Sequence, residues 1–62
     1  MWNVIDQNGD TVATAETQAA AGALAYEMEC EQHLHLVECR DLLRGAHFVY
    51  ECGTTLTLVE AA

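Results

Sequence analysis

The sequence predicts an α+β domain of order β-β-α-β-β-β: one mainly antiparallel sheet of about five strands with a single helix packed on one face. Three observations lead there. Residues 2–15 hold two short β-prone runs separated by Asn8-Gly9. Residues 18–31 are good helix formers with apolar side chains at helical spacing. From residue 33 onward, three further β-prone runs are divided by Gly45 and Gly53. The chain has 62 residues, which reads as a single domain, 1–62. A domain of this size buries only about 60% of the surface its unfolded chain exposes. A metal, a disulfide or a partner subunit would therefore add stability, and little room is left for an active-site cleft.

The first strand is expected over Trp2–Asp6. Asn8-Gly9 is the strongest short signal for a two-residue type I′ hairpin, and Thr11–Ala15 returns as the second strand. Such a loop pairs Gln7 with Asp10, Ile5 with Val12, Val4 with Ala13 and Trp2 with Ala15. Trp2, Val4, Ala13 and Ala15 then share one face, with Ile5 and Val12 on the other. The small alanines leave space for a helix to lie close.

Thr17 is the expected helix N-cap, with Glu16 near the positive end of the dipole. The helix runs from Gln18 to about Glu31, with a core stripe of Ala20 or Ala21, Leu24 and Met28. Glu27, Glu29 and Glu31 crowd its last turns, where the dipole already carries partial negative charge. Glu27 and Glu31 also repel each other at i, i+4 spacing. A sequence shaped by stability alone would place lysine there.

Alternation resumes over His33–Cys39, with Leu34 and Leu36 facing one way and His33, His35, Val37 and Cys39 the other. Arg40–Gly45 reads as a turn stopped by Gly45. Ala46–Cys52 reads as a fourth strand, Gly53-Thr54 as a type II′ turn, and Thr55–Glu60 as a fifth strand. One helix covers one face only. Ile5, Val12 and Val37, with some of Val49, Leu56 and Leu58 or Phe48 and Val59, are left for the opposite face. A second cover is expected there, from a homodimer, a partner protein or the Leu42-Leu43 segment folding back.

Charge narrows the function classes. Ten carboxylates face only Arg40 and Arg44, lysine is absent, and the net charge is −8. Direct nucleic-acid binding is disfavoured, because it depends on Lys and Arg neutralising phosphates. Anionic membrane surfaces are disfavoured for the same reason. No apolar run approaches the ~18 residues of a membrane span, and the first residues do not have the pattern of a secretory signal. The expected location is the cytoplasm, and the expected partner is basic, drawn in at long range. The plainer reading is that the acidity only keeps a small protein soluble.

Cys30, His33, His35 and Cys39 form the one cluster with metal-ligand chemistry. His33 and His35, on one strand face about 6.5 to 7 Å apart, could chelate; Cys39 would be too far without a bend, and the spacing matches no standard zinc motif. The competing expectation is that the cysteines, free thiols in an odd-numbered set with Cys52, pack as small hydrophobes. Asp6, Asn8 and Asp10 match the opening of a calcium loop, but no Gly stands at the sixth place and Thr17 replaces the terminal Glu. No phosphate, dinucleotide or nucleophile motif is present, so neither a cofactor nor catalysis is expected.

The acids remain. Asp6 and Asp10 flank the first hairpin; Glu27, Glu29 and Glu31 end the helix; Glu38 and Asp41 follow; Glu51 and Glu60 belong to the last hairpin. Gathered on one surface with Tyr26 as an apolar anchor, Asp6, Asp10, Glu27, Glu29, Glu31, Glu38 and Asp41 would resemble a phosphate track. The small size, the acidity, the Trp2–Ala15 hairpin and the Glu27, Glu29, Glu31 cluster resemble the very small inhibitor proteins of bacteriophages and mobile elements, the anti-CRISPR and DNA-mimic proteins. That group has no common fold or signature, so no residue role transfers from it. The resemblance implies a stoichiometric inhibitor that blocks the basic nucleic-acid-binding surface of a partner complex. The alternatives are a structural homodimer or assembly subunit, and a small Cys/His metal-binding domain.

Overall fold

The computed structural model describes residues 1–61 and has the expected order: β1 (Trp2–Asp6), β2 (Thr11–Ala15), α1 (Gln18–Glu31), β3 (Leu36–Leu42), β4 (Gly45–Tyr50) and β5 (Thr55–Glu60). The strands form one sheet of order β2-β1-β5-β4-β3, antiparallel at every pairing. The helix follows one edge strand, β2, and precedes the other, β3, packing mainly on β1, β2 and β5. Among the described residues, no helix is long and apolar enough to cross a membrane.

Both hairpins next to β5 and β1 close with the same three-residue loop. Gly9 N–H donates to Asp6 O (3.1 Å) and Asp6 N–H to Asp10 O (3.0 Å); likewise Gly53 N–H donates to Tyr50 O (3.0 Å) and Tyr50 N–H to Thr54 O (3.0 Å). The third loop residue is in each case a glycine with positive φ, +84° at Gly9 and +91° at Gly53. This is a type I turn followed by a left-handed residue, not the expected two-residue type I′ and II′ turns. Asp6 explains the first case, since its Oδ1 accepts from both Asn8 N–H (2.9 Å) and Asp10 N–H (3.0 Å) and so stabilises the longer loop. Ile5 consequently opposes Thr11 and not Val12, and Val12 is absorbed in a bulge; beyond it, the expected pairs Val4–Ala13 and Trp2–Ala15 are present.

Thr17 caps the helix as expected, its Oγ1 accepting from Ala20 N–H at 3.1 Å. The helix buries Ala21 and Ala25 completely and Leu24 and Met28 partly. Small side chains set the approach: a methyl added at Gly22 would stand 4.0 Å from Leu58 Cδ1. Val4, Ala46, Tyr50, Leu56 and Leu58 complete the core, with Trp2, Ala13, Ala15, Met28, Leu34 and Phe48 packed around it.

The segment after the helix departs from expectation. His33–His35 is not strand but the helix stop. His33 N–H donates to Cys30 O (3.3 Å) and Leu34 N–H to Glu29 O (2.9 Å), a Schellman closure with His33 in the left-handed conformation, φ +54°. Leu34 then drops onto the core, and β3 begins at Leu36. Arg40–Gly45 is not a turn either: β3 continues through Leu42, and only Leu43 and Arg44 reverse the chain. Gly45 opens β4 at φ +141°, where an added Cβ would meet Leu58 O at 1.9 Å. The glycine is there because the β4 backbone runs against β5, not to stop a helical turn. At its other end β4 stops at Tyr50, so Glu51 and Cys52 lie in the second loop.

Candidate functional site

The C-terminal end of the helix meets the two three-residue loops at one pole of the molecule. Met28, Gln32 and Leu34 face Asp6, Gln7 and Thr54 across a hollow of about 230 Å³ that Val12 and Leu56 also line. On the other side of Gln32, His33 and His35 face Glu51 and Cys52. Asp6 and Asp10, joined through their loop, Glu31 beside the helix cap, and Glu51 therefore belong to this pole. The last helical turn carries no basic residue. Neither arginine compensates. Arg44 donates to Glu60 Oε1 at 2.8 Å at the opposite pole, where β5 ends, and Arg40 lies 3.7 Å from Glu38. Partial negative charge on the helix carbonyls adds to the same field.

The other candidates separate. Glu27 is exposed one turn back along the helix. Glu29 is half-buried and, with Tyr26, lines a groove of about 200 Å³ between α1 and Leu36, Phe48 and Tyr50. Asp41 opposes Ala46, so it lies on the helix side of the edge strand, whereas Glu38 opposes Val49 and faces away from the helix. The single patch expected from sequence thus resolves into a pole (Asp6, Asp10, Glu31), a groove (Tyr26, Glu29) and residues on the two faces of β3 (Glu38, Asp41). Glu51 was not among the expected site residues. The signal for it was the glycine third in each loop, which makes Glu51-Cys52-Gly53 the counterpart of Gln7-Asn8-Gly9.

Three groups titrate away from their ordinary values. A side-chain hydrogen bond to Cys30, then the charges of Cys30 and Glu29, push the exposed Tyr26 phenol up. Burial, then the charges of Glu29 and Cys39, push Tyr50 up. Cys52 Sγ lies 3.1 Å from the Thr54 hydroxyl, which with the Thr54 backbone holds the thiol below its usual range.

All three cysteines are free and exposed, so they do not pack as small hydrophobes. The His33–His35 chelate expected on a strand face has no strand to stand on, because His33 occupies the left-handed helix stop and the His35 carbonyl accepts from Glu51 N–H at 2.8 Å. Among the described residues, no three His, Cys, Asp or Glu side chains converge to hold a metal ion. The Asp6 oxygen that would open a calcium loop is turned onto loop N–H groups.

The sheet face away from the helix carries Ile5, Val49 and Val59, all half-buried, among Thr55, Thr57 and His47, and His47 Nδ1 lies 2.8 Å from Thr57 Oγ1. Leu56, Leu58 and Phe48, left open between the two faces by the sequence, belong to the helix side. No protein-family model matches the chain, and neither a curated protein nor a solved structure matches it significantly.

Proposed function

We propose that this chain is a small acidic protein-binding module that works by occupying a partner and not by catalysis. Its carboxylate pole docks on a basic surface that the partner complex uses to hold nucleic acid, making the chain a stoichiometric inhibitor. One observation carries this reading: the loops holding Asp6, Asp10 and Glu51 meet the end of the helix that Glu31 closes, while both arginines pair elsewhere. The uncompensated field steers a cationic surface toward that pole. The apolar lining of the adjoining hollow, Val12, Met28 and Leu34, supplies contact area that charge alone does not.

The test reverses Asp10, Glu31 and Glu51 to Lys together, leaving Asp6 to close its loop. Wild-type chain immobilised in extract of its own host should retain a basic nucleic-acid-binding protein at low salt. Duplex DNA or RNA should displace it, and the triple variant should lose it. Retention by the variant, or retention indifferent to nucleic-acid competitor, overturns the reading. A role as a structural homodimer or assembly subunit, with acidity serving solubility, is favoured by a different observation: β3 is exposed along its whole length.

A further inference from the structure

The two edges of the sheet are unlike. Edge strand β2 is short, bulged at Val12 and flanked by the helix. Edge strand β3 has seven residues, Leu36–Leu42, every one of them exposed, with Val37 at 65%. Along its outer side the backbone N–H and C=O groups have no strand partner among the described residues. Such an edge is a template for another strand unless charge or a bulge disfavours pairing. β3 has both, a register shift between Leu36 and Glu38 and three charged residues. The order of those charges, however, selects one partner.

We infer that β3 pairs with β3 of a second copy, antiparallel, about a two-fold axis through Cys39, joining two five-stranded sheets into one. In that register Glu38 stands opposite Arg40 of the second copy, and Arg40 opposite its Glu38. Both residues project from the face away from the helix, since their β4 partners are Val49 and His47. Directly opposed side chains on one face interact most strongly, and opposite charges there are favourable. The neighbouring registers that keep the faces matched are centred on Glu38 or Arg40. They set Glu38 against Glu38 or Arg40 against Arg40, which is unfavourable. Within one chain Arg40 and Glu38 lie only 3.7 Å apart and are both solvent-exposed, so the pair is free to re-form across the seam. Val37 is the extra residue of the bulge before Glu38, so the regular stretch is centred on residues 38–40 and ends at the bulge.

The two helices then lie on the same side of the joined sheet. The two exposed β3 strands meet between them, and the groove of Leu36, Phe48 and Tyr50 in each copy opens on that same face. The carboxylate poles stay free, so this association is independent of docking on a basic partner.

Cys39 is the reporter. At the centre of the pairing its Cα would be ~4.5–5.5 Å from its counterpart, inside the ~4.4–6.8 Å that a disulfide spans. The full chain carrying Cys30→Ser and Cys52→Ser, oxidised with copper phenanthroline, should yield a reducible cross-linked dimer. Sedimentation of the unoxidised full chain at micromolar and higher concentrations should show the same dimer. Arg40→Glu and Glu38→Arg should each weaken it about tenfold, and combining the two reversals should restore it, with circular dichroism reporting an unchanged fold throughout. The Asp10, Glu31 and Glu51 reversal should leave the dimer intact, which separates this inference from the proposed function. A monomer at every concentration, or a dimer that survives both single reversals without a Cys39 cross-link, would overturn it.

Discussion

The half of the sheet under the helix and the half beyond it are built by different means. Under the helix, Val4 is 0% exposed and Leu58 3%, closed over by Ala21 and Ala25. Beyond it, β3 has no buried residue and is held by backbone pairing to β4 alone. A chain this short has one helix to spend, and alanine, not leucine, is what it lays against the sheet. The close approach seals β1 and β5 at the cost of width, because a thin helix cannot also reach β3. The covered half thus carries the stability, and the bare half is left available for contact.

Gly45 stands where the two halves join, and replacing it should have the largest effect. A Cβ at this position would lie 1.9 Å from Leu58 O, a backbone atom that no side-chain rotation can move away. The +141° φ is also one that L-residues rarely adopt. Gly45→Ala should therefore separate β4 from β5 and cost on the order of 3 kcal/mol or more, enough to unfold much of a small domain. Urea unfolding would show it. A variant within ~1 kcal/mol of wild type would mean that the β4–β5 contact is looser than described.

The comparison sharpens with a matched pair of valines. Val4→Ala removes two buried methyls from the sealed half and should cost about 2 kcal/mol, transfer and cavity terms together. Val37→Ala makes the same chemical change on β3 and should lie within ~0.5 kcal/mol of wild type when measured on monomer. Equal losses would show that the two halves do not differ in packing. A loss at Val37 that appears only at concentrations where the chain dimerises would trace to the seam.

How far the sequence foretold this structure differs element by element. The strand-strand-helix-strand-strand-strand order, Thr17 as N-cap and the pairing of Val4 with Ala13 follow from periodicity, capping chemistry and cross-strand alternation, all local rules. The turn types did not follow, because Asn8-Gly9 satisfies two loop geometries and the Asp6 carboxylate decides between them. The role of Gly45 was illegible for a stronger reason: the clash it avoids is with Leu58, thirteen residues away in sequence and known only once β4 lies on β5. Of the candidate site, the excess of acid was legible and its distribution was not. Glu38 and Asp41 take opposite faces because strand alternation separates residues an odd number of places apart. Strand at Glu38 follows from the alternation through Cys39, whereas Asp41 reads as part of a turn because Gly45 looks like a stop signal and is instead a close-approach residue of β4.

The smallest effect is expected at the joint between helix and edge strand, where His33 holds φ +54°. Left-handed backbone costs an L-residue ~1–2 kcal/mol, and glycine is the usual occupant of this position in a Schellman closure. His33→Gly removes that cost but gives back ~0.5–1 kcal/mol through the greater freedom of glycine in the unfolded chain. The net should be a stabilisation of about 0.5–1 kcal/mol, seen as a higher urea midpoint with an unchanged slope. His33→Ala keeps the Cβ and so should gain nothing. Because Leu34 N–H to Glu29 O is the bond that turns the chain toward β3, slower exchange of the Leu34 amide in the glycine variant would locate the gain at this joint. A glycine variant no more stable than the alanine one would show that the histidine side chain, and not its backbone, matters there.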